Sequence, residues 1–162
     1  MSKYFTSNRW LVAALCVIIA FPVGLSQRAA AEEQDANRPL LADLMALTQL
    51  RQFKLWYAQR VDNWTLANYE LDQFVKTIDR MAKLYPTASS IAQANFIHEK
   101  ADPALAELRK AIQDRNSSRF EAAFVQITDA CNQCHQATNV GFIVVQTPTK
   151  SPFANQDFKP IP

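Results

Sequence analysis

The sequence is poor in glycine, cysteine and histidine, and these shortages narrow what the chain can be. Only 2 of its 162 residues are glycine, and beyond the first 31 residues there is just Gly141. A sheet of many strands needs glycine in its turns, so the composition argues against one. The 3 cysteines are too few for a disulfide framework. Two of them, Cys131 and Cys134, lie three residues apart, a spacing that points to a site instead.

Residues 1–31 have the layout of a secretory signal peptide. Lys3 and Arg9 give a positive start, residues 10–25 are almost entirely apolar, and Ala29 and Ala31 supply the small residues of a peptidase site. A permanent membrane anchor is the alternative, but this apolar run is shorter than the roughly 20 residues that span a bilayer. We therefore predict cleavage after Ala31 and export to the periplasm.

The charge of the chain gives no electrostatic argument for a partner. The 17 basic and 15 acidic residues of the whole chain leave a mature net charge of −1, because the signal holds three basic residues and no acidic one. A protein so close to neutral lacks the basic surface that binds nucleic acid or anionic lipid. We therefore expect no nucleic-acid partner and no membrane association after signal cleavage.

Apolar residues recur at helical spacing in four stretches of the mature chain. Helix starts or ends are predicted at Pro39, Asn63, Pro86, Asp102 and Ser118. The apolar stripe of the first helix is Leu40, Leu41, Leu44, Leu47 and Leu55, and that of the last is Phe120, Phe124, Ile127, Cys131 and Cys134. Residues 87–100 are ambiguous and are compatible with a short additional helix.

Four amphipathic helices joined by short links predict an all-α fold, an antiparallel four-helix bundle over residues 32–140. The remaining residues 141–162 differ in kind, because Gly141 is expected to break the last helix and four prolines beyond it exclude further helix. We predict an irregular, proline-rich tail. Residues 142–145 are apolar, so the tail is expected to pack on the bundle near the site.

Residues 131–135 read Cys-Asn-Gln-Cys-His, the C-x-x-C-H signature of c-type haem attachment. On a helix, steps of three and four residues return to one side, which gathers Cys131, Cys134 and His135. Two thiols can then bond to the two vinyl groups of a haem while the imidazole reaches the iron. The sequence therefore predicts one covalently attached haem c, with His135 as an iron ligand.

The motif has three other interpretations. A thioredoxin-like C-x-x-C belongs at the start of a helix after a strand, and no strand is predicted before Cys131. A zinc site needs two further cysteines or histidines, and the mature chain offers only His98 besides His135. A chance match on a core stripe has a probability on the order of one in a thousand in a chain of this size.

A secreted helical bundle with C-x-x-C-H on its last helix resembles the class II c-type cytochromes, the cytochrome c′ group. The resemblance covers roughly residues 38–138 and implies that His135 is the proximal ligand. It also implies that the first helix faces the other side of the iron, and such bundles often form homodimers. The chain departs from the group after the motif: residues 136–140 hold no basic residue, and the proline-rich tail follows.

Met45 lies early in the first helix, where the resemblance places the residue opposite His135. A thioether ligand there would raise the reduction potential and favour electron transfer, whereas the alternative is that Met45 fills the core. Met81 is expected to be a core residue. Polar residues on the face of Met45, namely Thr48, Gln49 and Gln52, could bond a bound ligand or simply face solvent.

Two further assignments stay open at this point. His98 could be a ligand, although an ordinary surface position is the alternative. Arg51, Lys54 and Arg60 could pair with haem propionates or face water.

The function predicted from these residues is periplasmic electron transfer by a monohaem c-type cytochrome, with a redox partner protein that the sequence does not identify. A five-coordinate cytochrome that binds nitric oxide or carbon monoxide is the alternative. A small haem peroxidase is less well supported, because no histidine or acid shares the face of Met45. The chain is therefore expected not to be an enzyme.

Overall fold

The computed structural model describes residues 38–87 and 91–161, and the signal predicted for residues 1–31 lies outside them. This part of the chain forms five helices and no strand: α1 Leu41–Arg60, α2 Trp64–Leu84, α3 Gln93–Lys100, α4 Asp102–Gln113 and α5 Ser117–Ala137. The all-α prediction is therefore confirmed, and the ambiguous segment contributes α3. Within the described residues, no helix is both long enough and apolar enough to cross a membrane.

The helix starts agree with the sequence at one position and depart from it at two. Asn63 caps α2 as predicted, since its side-chain oxygen accepts a hydrogen bond from a first-turn amide at 3.0 Å. The cap of α5 is Asn116 and not Ser118, because the Asn116 side chain accepts the first-turn hydrogen bond at 3.0 Å. Asp102 is the first residue of α4 rather than its cap, and its carboxylate contacts His98 instead.

Three helices end in a left-handed turn that glycine usually forms, yet none of them uses glycine. Asp62, Arg115 and Asn139 follow the ends of α1, α4 and α5 with φ angles of 56°, 48° and 64°. After each, the next amide donates to the carbonyl five residues earlier at 2.8 to 2.9 Å. The expectation that Gly141 ends the last helix is wrong, because Asn139 makes that turn two residues earlier.

The buried face of α1 differs from its predicted leucine stripe. It is formed by Leu44, Thr48, Gln52, Leu55, Ala58 and Gln59. Leu47 is only partly buried, and Leu40 is 67% exposed and precedes the helix. Two of the polar residues on this face form hydrogen bonds inside: Thr48 donates to the Leu44 carbonyl at 2.7 Å, and Gln52 donates to Thr128 at 3.0 Å. The third, Gln59, has no partner for its side-chain oxygen among the described residues.

Aromatic rings fill the region where α1 ends and α5 begins. Trp56 of α1 packs on Phe124 of α5 with ring centroids 4.8 Å apart, and Phe120 stacks on Phe124 at 5.9 Å. Trp64 of α2 meets Phe120 edge-on at 6.4 Å. These four residues form the aromatic cluster, in which Phe120 and Phe124 are completely buried. Burying a side chain of this size stabilises the fold by about 1.5–3 kcal/mol.

Polar pairs join α1 to α5 on both sides of the aromatic cluster. The Gln52 amide donates to the Thr128 hydroxyl at 3.0 Å, and both residues are buried. Arg60 pairs with Glu121 at 2.8 Å on the surface, where an ion pair contributes little. The buried pair lies between the aromatic cluster and the half of α5 that carries the cysteines.

The tail is held to the helices at two separate places. Near its start, Val145 forms hydrogen bonds with the side chain of Asn132 in α5. Near its end, the Phe158 ring is only 7% exposed and packs on Tyr57 with centroids 5.8 Å apart. The Phe158 carbonyl also accepts a hydrogen bond from the Asn63 side chain at 2.9 Å.

The apolar residues at the start of the tail are not buried as their composition suggested. Phe142 is 82% exposed and Val144 is 74% exposed, while Ile143 is half exposed. This stretch contacts α5 through backbone atoms of Ile143 and Val145, while these three side chains remain exposed. The expectation that these side chains would leave water is therefore wrong.

Candidate functional site

A pocket opens between α1, α2, α3 and α5. Its cavity measures about 50 Å³ and is partly open to solvent, which is below the range of about 300–1,000 Å³ for small-molecule sites. The lining residues are Met45, Thr48, Ile78, Met81, Phe96, Ile97, Lys100, Ala101, Ile127, Ala130, Cys131, Cys134 and His135. All four residues predicted for the site, Met45, Cys131, Cys134 and His135, thus line this one space, which we call the motif pocket.

Helix α5 changes character where it reaches the motif pocket. Its apolar stripe continues at steps of four and three from Phe120 through Phe124 and Ile127 to Cys131 and Cys134. Burial does not follow the stripe, because the first three side chains are at most 1% exposed whereas both cysteines are partly exposed. At the pocket, the apolar face of α5 is therefore not fully covered by other side chains. Such a face suits packing against an apolar ligand.

The two cysteines are free thiols in an environment that keeps them protonated. Burial raises the pKa of the Cys131 thiol to about 12, with the neighbouring Cys134 adding to the effect. Burial also raises the pKa of Cys134. A thioredoxin-like motif depends on the opposite shift, toward a thiolate at the start of a helix. The environment of these thiols therefore disfavours the redox-motif interpretation.

His135 is half-buried, lines the motif pocket and has a defined hydrogen-bond partner. Its Nδ1 lies 2.7 Å from the backbone carbonyl oxygen of Ile143. A carbonyl oxygen only accepts, so Nδ1 carries the hydrogen of this bond. In the neutral imidazole, Nε2 then keeps its lone pair and is available to a metal ion.

Two methionines line the motif pocket, and the sequence singled out only one of them. Met45 of α1 is partly buried, while Met81 of α2 is 4% exposed. Both thioethers therefore border the same space as His135. Met81 was expected to be core, and its burial agrees with that expectation, but only packing between α1 and α2 could reveal that it also borders the pocket.

The polar residues predicted on the Met45 face separate in the structure. Thr48 lines the motif pocket, although its hydroxyl hydrogen is already donated to Leu44. Gln52 is buried beside Thr128, and Gln49 is exposed to solvent. Of the three, only Thr48 is therefore placed to contact a ligand in the pocket.

The basic residues considered as propionate partners do not line the motif pocket. Arg51 pairs with the buried Glu70 at 3.1 Å, and Lys54 lies over the Phe153 ring. The cation that does line it is Lys100 at the end of α3, whose ammonium lies 2.6 Å from Glu99. Sequence reasoning missed Lys100 because α3 was not located, although Phe96 and Lys100 share the spacing of one helix face.

His98 takes no part in the motif pocket. It is exposed, and its Nδ1 contacts the Asp102 carboxylate at 2.9 Å across one helical turn. Among residues 38–87 and 91–161, no three histidine, cysteine or acidic side chains converge as a metal-binding group. A zinc site completed by His98 therefore lacks structural support.

No protein-family model, no curated protein and no solved structure matches this chain. What the chain does must therefore be inferred from the chemistry of the motif pocket.

Proposed function

We propose that this protein is an exported monohaem c-type cytochrome that carries electrons. The observation that supports this most strongly is the composition of the motif pocket. Cys131, Cys134 and His135 share one apolar space with Met45 and Met81 from two other helices. Two thiols, one imidazole and a thioether on apolar walls are the donor set of a haem bound through its edge and its iron.

The residues that line the motif pocket fit a haem in their chemistry, and the helices around the cavity of about 50 Å³ would have to move apart to admit one. Apart from His135 and the two cysteines, the walls are apolar except for Thr48 and Lys100, as suits the face of a porphyrin. The partial opening to solvent leaves room for propionates, which are charged and need contact with water or a cation. Lys100 at the rim is the residue that would pair with one of them.

Attachment to the cysteines requires no oxidant. Each S–H would add across one vinyl double bond, with the sulfur bonding to one carbon and the hydrogen to the other. No atom leaves in this addition, so the mature chain gains the full mass of one haem. The protonated state favoured for Cys131 and Cys134 is the form that supplies both sulfur and hydrogen.

The chain's own residues define what the bound group can do. His135 would hold the iron through Nε2, because its Nδ1 is committed to the Ile143 carbonyl. Met45 would complete the coordination from α1, and the low polarity of the walls would hold the iron in an apolar medium. When bound, the haem supplies an iron that cycles between ferric and ferrous states, and a thioether ligand favours the ferrous one.

The helices that hold the pocket are proposed to form an antiparallel four-helix bundle of α1, α2, α4 and α5, with α3 as an additional short helix. Two contacts support opposite directions for α1 and α5. Arg60 at the end of α1 meets Glu121 near the start of α5, and Gln52 meets Thr128 further along. Likewise, Tyr85 after α2 bonds the carbonyl of Pro39 before α1.

The test is the mass and visible spectrum of the mature protein recovered from the periplasm. Intact mass should equal residues 32–162 plus one haem, and the haem should resist acid extraction. The Cys131→Ala, Cys134→Ala double variant should lose the covalent haem. A mass equal to the bare polypeptide in wild type would rule the proposal out, and an N-terminus other than Glu32 would rule out the predicted cleavage.

A second candidate is a five-coordinate cytochrome that binds nitric oxide or carbon monoxide. It is favoured by one observation: if the cysteines hold the edge of the haem and Lys100 pairs with a propionate, the two methionines are the remaining side chains of the lining, besides His135, that could bind iron. If neither thioether reaches the iron, an apolar wall faces the sixth position and a small gas could bind there. A peroxidase would require an acid–base group, and the lining contains neither an acid nor a second histidine.

Replacing each methionine with leucine separates the two candidates. Leucine keeps the size and apolarity of methionine, and such swaps usually cost less than about 1.5 kcal/mol. If Met45 is the ligand, Met45→Leu should turn a low-spin spectrum into a high-spin one, lower the reduction potential and admit carbon monoxide. Met81→Leu is the matched control and should leave all three unchanged.

The remaining outcomes are equally informative. The opposite pattern would identify Met81 as the ligand. A wild type that is already high-spin and binds carbon monoxide readily would establish the gas-binding candidate.

A further inference from the structure

The tail makes two contacts with the motif half of α5 that haem attachment itself does not need. Asn132, the first residue between the two cysteines, bonds both backbone groups of Val145. Its Nδ2 donates to the Val145 carbonyl at 2.9 Å, and the Val145 amide donates to its Oδ1 at 2.8 Å. Two residues earlier in the tail, the Ile143 carbonyl accepts from His135 Nδ1 at 2.7 Å.

These contacts hold the tail segment 143–145 at a fixed position on α5. A turn precedes the segment, and in it the Ile143 amide donates to the Val140 carbonyl at 2.9 Å. Val140 is itself tied to the helix, since its amide donates to the His135 carbonyl at 2.9 Å. With Asn132 binding Val145 on the other side, the Ile143 carbonyl is fixed from both directions.

Apolar burial does not explain why this segment lies on the motif. The side chains of Ile143 and Val144 in the segment, and of Phe142 just before it, are exposed. The buried anchor of the tail, Phe158, lies at the other end of α1, beside Tyr57. The placement of the Ile143 carbonyl beside His135 therefore depends on Asn132 and not on the hydrophobic attachment of the tail.

We propose that the tail segment 143–145, anchored by Asn132, positions His135 for the iron and sets how strongly it donates. Asn132 is then a positioning residue that acts through the tail backbone. This inference rests on the proposed haem function. A histidine that gives its Nδ1 hydrogen to a carbonyl has a fixed ring orientation and tautomer, and its Nε2 becomes a stronger donor. A stronger donor stabilises ferric iron, so losing the bond should raise the reduction potential.

The experiment compares Asn132→Ala with Gln133→Ala. Both keep the two cysteines and the histidine at their spacing, but Gln133 is exposed and has no contact with the tail among the described hydrogen bonds. Phe158→Ala is a second control, because it releases the far end of the tail without touching Asn132. All three are made in the full chain and are measured with and without attached haem.

The first measurement is nitrogen NMR of the His135 ring in the haem-free mature chain, at a pH where imidazole is neutral. Wild type and Gln133→Ala should carry the hydrogen on Nδ1. Asn132→Ala should shift toward the Nε2-protonated form that free imidazole side chains prefer in water. Slowed exchange of the Val145 amide in wild type, lost in Asn132→Ala, provides an independent readout of the anchor.

The second measurement is the reduction potential of the haem-loaded protein, which stays informative if a haem-free variant does not fold. Asn132→Ala should raise it, while Gln133→Ala and Phe158→Ala should leave it at the wild-type value. An Asn132→Ala protein with the wild-type potential and tautomer would overturn the inference while leaving the haem proposal intact. Failure of the haem proposal would give a different result, because the wild-type protein itself would then lack the added mass of a haem.

Discussion

The two halves of α5 carry one continuous apolar stripe, yet they meet different surroundings. The first half ends its stripe in the aromatic cluster, where Phe120 and Phe124 are completely enclosed. The second half presents Cys131 and Cys134 to the motif pocket, where the same face stays partly exposed. Hydrophobic periodicity therefore identifies a face that must be covered, but it does not say whether protein or ligand covers it.

The difference between the halves assigns them different roles. The aromatic cluster is packed by Trp56 and Trp64 from neighbouring helices, so it stabilises the fold without help from another molecule. The motif pocket is bordered by four helices and leaves a small, partly open cavity between them. We therefore expect substitutions in the cluster to act on folding, and those in the pocket to act on the bound group.

The largest effect is expected when the same substitution is made in the aromatic cluster and in the wall of the motif pocket. Phe124→Ala should lower the free energy of unfolding of the haem-free chain by about 3–5 kcal/mol, because it empties a closed core. Phe96→Ala, in the pocket wall, should cost far less, since this ring is half-buried and borders open space. Urea unfolding of both variants measures the two values. Equal losses would mean that the pocket is as well packed as the core.

The second prediction concerns the two attachments of the tail. Phe158→Ala should lower stability by about 2–3 kcal/mol, below the usual range for a core phenylalanine because the tail can detach locally. Phe142→Ala is the matched control at the exposed attachment and should change stability by less than about 0.5 kcal/mol. Thermal unfolding and limited proteolysis of residues 141–161 distinguish these outcomes. If Phe142→Ala proved the more harmful, the side chains of that segment would have an unseen partner.

The third prediction addresses the buried polar pair between the two halves. Gln52→Ala should cost about 1–3 kcal/mol, because it removes a buried hydrogen bond and leaves Thr128 without its donor. Gln49→Ala, one turn earlier and exposed, should stay within about 0.5 kcal/mol of wild type. Urea unfolding again gives the comparison. A neutral Gln52→Ala would show that water replaces the amide and that the boundary between the halves is open.

The smallest effect on stability at neutral pH is expected from the ionisation of buried thiol and phenol groups. At high pH, ionisation of these groups distinguishes the motif pocket from the region of the aromatic cluster. In the folded chain the pKa of Cys131 is raised to about 12 by burial, against about 8.5 for an exposed thiol. Folding therefore favours the protonated thiol, so this stability is complete below about pH 8.5 and is lost as the pH rises toward the folded value. Burial raises the pKa of Tyr57 near the aromatic cluster as well, with the same sign.

Stability of the haem-free chain measured at increasing alkaline pH tests this prediction. Wild type should lose stability progressively above about pH 8.5. Cys131→Ala should flatten the early part of that decline, while Tyr57→Phe should affect only the part above about pH 10. A decline that Cys131→Ala leaves unchanged would indicate that its thiol is solvated in the folded chain.

Local signals predicted much of the helical framework. Asn63 and Pro86 bound α2 because a side-chain cap and a missing amide act within one helical turn. The gathering of Cys131, Cys134 and His135 follows from helix geometry alone. The failures involve choices between equivalent local signals, such as Asn116 and Ser118 at the start of α5, where the extended backbone before the helix selects the cap.

The buried face of α1 could not be predicted, because its reason lies elsewhere in the chain. Gln52 is buried since Thr128, 76 residues away in sequence, accepts its hydrogen bond. The leucines of α1 predict a different buried face, because periodicity contains no information about Thr128. Lys100 and Met81 line the pocket for the same kind of reason, because the packing between helices that places them there cannot be predicted from hydrophobic periodicity.

The sequence by itself determined that the chain is helical and that two thiols and an imidazole share one side of the last helix, because both depend on interactions within a few residues. Only the tertiary structure decided which other helices border that side and that the tail returns to bond His135 through Ile143. The physical reason is the distance along the chain over which each interaction acts. Helix propensity, caps and periodicity act over one or two turns, whereas a pocket is defined by side chains that meet only after the chain has folded.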